Sequence, residues 1–193
     1  MVQILDRRTF IQGSLLSASA LSYWPHSLLA QEQVQRVIAR PFELSQVRLR
    51  PGAALDAMNV NRRHLLAYDP DRLLHMFRVT AGLPSSAEPL GGWEAPNNEL
   101  RGHFTGHYLS ACALSFAHAD DKALKARGDA IVGELAKCQG KFGNGYLSAF
   151  PEELFDRLRA SQPAWAPFYT LHKIMAGMLD MHVLLYGDRK SVV

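Results

Sequence analysis

Apolar side chains recur every three to four residues through most of the chain, which is the period of an α-helix with one buried face. Proline, glycine and acidic residues mark where these stretches begin and end. The pattern predicts helices over residues 53–67, a short helix restarting at Pro70, helices over residues 100–118, 121–142 and 152–159, and a final helix that follows Pro167 and runs through Tyr186.

The order of these helices indicates how they pack. Only two residues separate the helices over 100–118 and 121–142, so we expect an antiparallel hairpin. The final helix carries apolar side chains on more than one face, which indicates burial between neighbouring helices. The loops over residues 82–98 and 143–151 are long, and long loops in compact domains often carry function.

One segment has a different period. Residues 42–49 alternate apolar and polar side chains, as a half-buried strand does, and they are the only strand that the pattern predicts. The predicted fold class is therefore all-α, an array of helical hairpins preceded by one short β-strand.

Composition limits the classes of function. The chain has 193 residues, of which 48% are hydrophobic, which suffices for one globular core, so one domain or part of one is expected. The net charge of +3 is spread along the sequence and does not combine with stacking aromatics, which excludes a nucleic-acid groove. Cys112 and Cys138 are too few for a disulfide framework, and we expect two buried thiols.

The N-terminus has the composition of an export signal. An Arg-Arg pair at positions 7 and 8 precedes a mainly apolar stretch over residues 11–23, which resembles a twin-arginine signal. A membrane anchor would need about 20 unbroken apolar residues, and Pro25 ends the stretch too early. We predict a signal over residues 1–30, a spacer over residues 31–41, and a periplasmic or extracellular protein that is not membrane-bound once the signal is removed.

Both ends of the chain carry segments that we place outside the domain. Cleavage of the signal after Ala30 is plausible, and the small residues around Ala20 offer an alternative. The hexapeptide over residues 188–193 is what a common sequencing adapter encodes, so we predict that it is a non-native tail. The domain is then expected over residues 42–187.

The first candidate chemistry lies at the start of the helix predicted over 100–118. Glu99, His103 and His107 are spaced by four residues, so on a helix they share one face. An unpaired carboxylate or imidazole is costly in a dry core, so we expect this face, with Arg101 beside it, to line a pocket for a polar ligand. Two alternatives stay open: a divalent metal bound by the three side chains, or histidines that are part of the core.

Aromatic residues also lie near a carboxylate or an imidazole at three junctions between a loop and a helix. Trp93 precedes Glu94, Tyr146 lies in the loop before an acidic helix start, and Tyr169 lies three residues before His172. Sugar rings have apolar faces edged by hydroxyl groups, so they suit flat side chains beside hydrogen-bonding groups. The junctions therefore indicate a saccharide ligand, with packing between helices as the alternative for each aromatic ring.

Three blocks of this sequence, residues 100–111, 144–153 and 166–180, resemble glycoside hydrolase family 127, the β-L-arabinofuranosidase family. The similarity runs over about residues 42–187. It implies an (α/α)6 barrel with accessory β-sandwich domains, acting on terminal β-L-arabinofuranosides of plant glycans or glycoproteins. Fewer helices are predicted here than such a barrel contains, so the resemblance implies an incomplete (α/α)6 barrel, with the strand over residues 42–49 belonging to a sandwich.

The resemblance also implies a mechanism. In that family hydrolysis retains the anomeric configuration, and the nucleophile is a cysteine thiolate held by zinc beside a glutamate and further cysteines. Neither Cys112 nor Cys138 has the neighbouring cysteine or glutamate of that cluster. We therefore expect zinc in the full-length parent enzyme, and neither a metal nor a catalytic residue in this chain, which would by itself be an inactive fragment.

What the resemblance assigns to this chain is part of a sugar-binding wall for plant-type arabinosides. Two other functions stay open: another exported glycosidase or lyase on the same helical toroid, and a non-catalytic helical module that binds glycans or another protein. The predicted substrate-binding residues are His103, His107, His172, Trp93, Glu94, Tyr146 and Tyr169.

Overall fold

The computed structural model describes residue 39 and residues 41–187, and within them the fold is all-helical. The predicted signal, most of the spacer and the predicted tail lie outside the described residues. The six helices are α1 (Ala53–Ala67), α2 (Pro70–Thr80), α3 (His103–Ala119), α4 (Lys122–Phe142), α5 (Glu153–Arg159) and α6 (Pro167–Leu185).

The helices begin and end where local chemistry satisfies their exposed backbone groups. Asp69 accepts a hydrogen bond from the Asp71 N–H at 2.9 Å, and Pro70 occupies the first turn of α2, where its missing N–H costs nothing. Asp121 caps α4 through the N–H groups of its first turn. Gly143 ends α4 with a φ of 74°, a conformation that glycine adopts without strain.

The prediction of a strand over residues 42–49 is wrong for this structure. Leu44–Gln46 form a single 3-10 turn, and the described residues contain no strand. A strand needs a partner for its backbone groups, and here the segment bonds within itself and to the end of α3. Gln46 Oε1 accepts from the Glu43 N–H at 3.0 Å, and Arg48 donates to the His118 carbonyl at 2.6 Å.

The core lies around α3, which packs against α1, α2, α4 and α6. The closest approach is between α3 and α6, where Gly106 and Gly177 bring the two backbones into contact. Tyr108 is buried, and its hydroxyl donates to the Leu65 carbonyl at 2.9 Å, which joins α3 to α1. The side chains enclosed at the centre of this core are Phe77, Tyr108, Leu109, Cys112, Ile131, Leu135 and Ile174.

Helix α6 buries one face and exposes another. Ile174 and Met181 are enclosed against the other helices, as the sequence predicts. Met175 and Leu179 are 67% and 60% exposed, so the burial predicted for more than one face is not present within residues 41–187. No described helix combines the length and the apolar character needed to cross a membrane.

The exposed face of α6 borders an apolar groove with a volume of about 1060 Å³. The helices and their exposed apolar face match part of an (α/α)6 barrel, as expected. Side chains lining the groove include Tyr146, Leu147, Phe168, His172, Met175 and Leu179.

Candidate functional site

The start of α3 is built around a glycine and a carboxylate from the preceding loop. Gly102 occupies the position before the helix with a φ of 100°, and a Cβ there would lie 2.8 Å from Cβ of Ala149. Because glycine has no side chain, it cannot cap the helix itself. Glu94 does so instead, accepting from the N–H of Gly102 at 2.6 Å and from that of Phe104 at 2.9 Å.

His103 is the most enclosed imidazole of the site, with 8% of its surface exposed. Its Nδ1 lies 2.6 Å from Oε1 of Glu94 and 3.0 Å from the carbonyl oxygen of Leu100. Both neighbours only accept hydrogen bonds, so the ring is held on one edge by acceptors from the loop and from the turn just before α3.

Three further rings surround His103. The ring centroids of Trp93, His107 and Tyr169 lie 6.2, 5.9 and 6.1 Å from its own, and the His107 ring stands at 88° to it. Trp93 is 64% exposed and Tyr169 is 44% exposed, so flat surfaces remain open to a ligand. We call Trp93, Glu94, His103, His107 and Tyr169 the histidine wall.

Burial and nearby positive charge favour the neutral form of His107. Burial, followed by the charge of Lys173 and then those of His103 and His172, lowers the pKa of His107 from its ordinary value of 6.5. At neutral pH this ring therefore offers one donor and one acceptor. Lys173 lies beside it, with Nζ 5.0 Å from the centroid of the Tyr169 ring.

Lys173 was not among the predicted binding residues, although its position offered a signal. It follows Tyr169 by four residues on α6, so the two side chains share a face. The sequence pattern favours the neighbouring His172 as the polar group of this turn instead.

Two of the seven predicted binding residues lie apart from the wall. His172 and Tyr146 both line the apolar groove. The Tyr146 hydroxyl donates to the Phe150 carbonyl at 2.7 Å, its ring packs edge-on against Phe142 and Phe155, and burial raises its pKa. Tyr146 therefore belongs to an aromatic cluster that holds the loop before α5.

Glu99 does not share a helix face with His103 and His107, because α3 begins only at His103. Its carboxylate accepts from the Trp165 N–H at 2.6 Å and pairs with Arg157, and these contacts lower its pKa. The alternative of a metal held by the three side chains is thus wrong. Residues 41–187 contain no group of three His, Cys, Asp or Glu side chains arranged for a metal.

The two cysteines do not fit the zinc-bound nucleophile that the resemblance implies for the parent enzyme. Cys112 and Cys138 are both buried within the helical core. Burial raises the pKa of the Cys112 thiol to about 12 and raises that of Cys138 as well. A zinc ligand or nucleophile must be a thiolate, so neither residue suits that chemistry.

Comparison with known proteins agrees with this architecture. No curated protein matches the chain. A family model described as the catalytic domain of family 127 β-L-arabinofuranosidases matches residues 46–190, which is most of the sequence and includes the whole histidine wall. The chain therefore belongs to glycoside hydrolase family 127, and its residues 46–190 match the arabinofuranosidase-like catalytic domain of that family.

Proposed function

We propose that this chain supplies part of the sugar-binding wall of an exported enzyme that hydrolyses terminal β-L-arabinofuranosides. The observation that carries the proposal is the enclosure of His103 by Trp93, His107 and Tyr169, with two of these rings open to solvent. Membership of family 127 supports a carbohydrate as the ligand.

The wall combines the two kinds of contact that a furanose ring needs. Trp93 and Tyr169 offer exposed aromatic faces for the C–H groups of a sugar. The neutral imidazole of His107 can donate one hydrogen bond and accept another, which matches neighbouring hydroxyl groups. Lys173 adds a donor beside the Tyr169 ring.

The proposal assigns ligand binding, and no bond cleavage, to this part of the enzyme. Both thiols are buried and protonated at neutral pH, so no step of hydrolysis is attributed to them. We propose that a zinc-held cysteine nucleophile belongs to a part of the enzyme outside the described residues.

Binding can be tested with methyl β-L-arabinofuranoside and two neighbouring variants of α6. Tyr169→Ala should weaken binding about three- to tenfold, as expected for loss of a stacking contact. Phe168→Ala is the matched control, because Phe168 is also exposed but lines the apolar groove. Chemical-shift titration by NMR gives both affinities. Equal affinities for the two variants, or saturation by the α-anomer alone, would contradict the proposal.

Export can be tested separately. The Arg-Arg pair at positions 7 and 8 and the apolar stretch after it support a twin-arginine signal. Residues 1–41 fused to a folded reporter should deliver it to the periplasm, and the double variant Arg7→Lys, Arg8→Lys should leave it in the cytoplasm. Unchanged export of the double variant would rule out this pathway.

A further inference from the structure

Two backbone N–H groups and one imidazole nitrogen converge on the carboxylate of Glu94. The N–H groups of Gly102 and Phe104 donate to its two oxygens, and His103 Nδ1 lies 2.6 Å from Oε1. The side chain is only 13% exposed, so water cannot replace these partners freely. A carboxylate has two acceptor oxygens and no donor, whereas an amide would turn an N–H₂ group towards one of the donors.

These contacts restrict His103 to one tautomer. Nδ1 faces the Leu100 carbonyl and the Glu94 carboxylate, and since both are acceptors, Nδ1 carries the proton. In the neutral ring Nε2 then keeps its lone pair. The hydrogen bond that the His103 ring makes within residues 41–187 is through Nδ1, and 10% of its side chain is exposed, so the Nε2 edge is left for a ligand.

Glu94 also fixes the position of Trp93. Both residues belong to the 3-10 turn Gly92–Glu94, and Glu94 anchors that turn to the start of α3. Because Trp93 is mostly exposed, its own packing contributes little to its placement. The 6.2 Å separation between the Trp93 and His103 rings therefore depends on the anchor.

We propose that Glu94 is a positioning residue. It holds Trp93 and His103 in a fixed relation and keeps His103 Nε2 as an acceptor for a donating sugar hydroxyl, and it does not contact the ligand itself. This assignment differs from the expectation that Glu94 binds substrate directly. The identity of the ligand rests on the proposed function, whereas the tautomer of His103 does not.

The experiment compares the full chain with Glu94→Gln and Glu99→Gln. Glu99 is the matched control because its carboxylate also accepts from a backbone N–H, but its side-chain partner is Arg157 and not an imidazole. Ring nitrogen shifts of ¹⁵N-histidine report the tautomer above the pH at which the ring is protonated. Titration with methyl β-L-arabinofuranoside reports affinity, and circular dichroism reports folding.

We expect the unsubstituted chain to show His103 protonated on Nδ1 only. Glu94→Gln leaves the Leu100 carbonyl as the acceptor for Nδ1, so it should raise the population of the second tautomer without making it the sole form. It should weaken binding about three- to tenfold, the effect of one impaired neutral hydrogen bond. Glu99→Gln should change neither the tautomer of His103 nor the affinity for the arabinoside. A ring protonated on Nε2 in the unsubstituted chain overturns the proposal even if Glu94→Gln does not fold.

The remaining outcomes separate this inference from the proposed function. A His103 spectrum in folded Glu94→Gln identical to that of the unsubstituted chain overturns the positioning role. If the tautomer responds as expected while no variant binds the arabinoside, the proposed ligand is wrong and the positioning of His103 by Glu94 is supported.

Discussion

Gly106 of α3 and Gly177 of α6 lie backbone to backbone. A Cβ atom on Gly177 would come within 2.2 Å of the Gly106 carbonyl oxygen, and one on Gly106 within 2.1 Å of the Lys173 carbonyl oxygen. Neither neighbour is a flexible side chain, so a methyl group can be accommodated only if the helices move apart. The helix that carries His107 is thus held directly against the helix that carries Lys173.

Replacing either glycine by alanine should destabilise the protein. We expect a loss of about 3 kcal/mol for Gly106→Ala or Gly177→Ala, because overpacking forces backbone displacement. Gly133→Ala in α4 is the control, since a Cβ there meets nothing within 4 Å. That substitution should stabilise by up to about 1 kcal/mol through helix propensity. Urea unfolding measures the stability of the three variants. Equal stabilities for Gly106→Ala and Gly133→Ala would contradict the close contact between α3 and α6.

The ion pair of Glu99 should make stability depend on pH. The Trp165 N–H and then Arg157 hold the pKa of the Glu99 carboxyl below its ordinary value of 4.5. A lowered folded-state pKa contributes stability that is present above pH 4.5 and is lost as the pH falls through the folded-state value. Glu99→Gln should therefore be less stable than the unsubstituted chain at pH 7, with a difference that shrinks at lower pH.

Urea midpoints measured from pH 7 down into the acid range check how the stability of Glu99→Gln changes with pH. Glu153→Gln is the charge-matched control, because Glu153 is an exposed first-turn residue of α5. A constant difference between Glu99→Gln and the unsubstituted chain at every pH would show that ionisation of Glu99 is not involved.

The two thiols should resist modification in the folded protein. Cys112 has no exposed surface and a pKa raised to about 12, so both access and thiolate content are low. We expect iodoacetamide to label Cys112 and Cys138 only as fast as the core opens, and completely in urea. Mass spectrometry of the labelled chain measures both rates. Rapid labelling of Cys112 without urea would contradict its burial.

The exposed face of α6 should cause self-association at high protein concentration. Contiguous apolar surface of this kind is unfavourable in water, and Leu179 lies within it at 60% exposure. Leu179→Glu should lower the sedimentation coefficient at high concentration without lowering the urea midpoint. Leu114→Glu, at an exposed position of α3, should not change association. A chain that sediments as a monomer at all concentrations would rule out the prediction.

The starts of α2 and α4 were predictable because each depends on nearby residues. Asp69 with Pro70 and the cap at Asp121 act within one turn, so the sequence predicted the starts of α2 and α4 correctly. The prediction of a strand over residues 42–49 was wrong, because alternation of apolar and polar side chains does not reveal whether a partner strand exists.

The sequence indicated which kinds of residue form the candidate site, but it predicted their arrangement in space only in part. Periodicity extended the helix of His103 back to residue 100, whereas the left-handed backbone of Gly102 delays α3 to His103 and removes Glu99 from the face. The carboxylate beside His103 comes instead from Glu94, nine residues earlier in a loop. The contact between Glu94 and His103 arises from tertiary packing of a loop, and the spacing of apolar residues along a helix cannot predict it.

His172 stands on the boundary between two surfaces of α6: it lines the apolar groove, and its charge contributes to the lowered pKa of His107. A molecule that covered the groove would also remove water from His172 and so alter the electrostatic field at His107. Covering the groove and protonating His107 are then thermodynamically linked, and each must shift the other by an equal free energy.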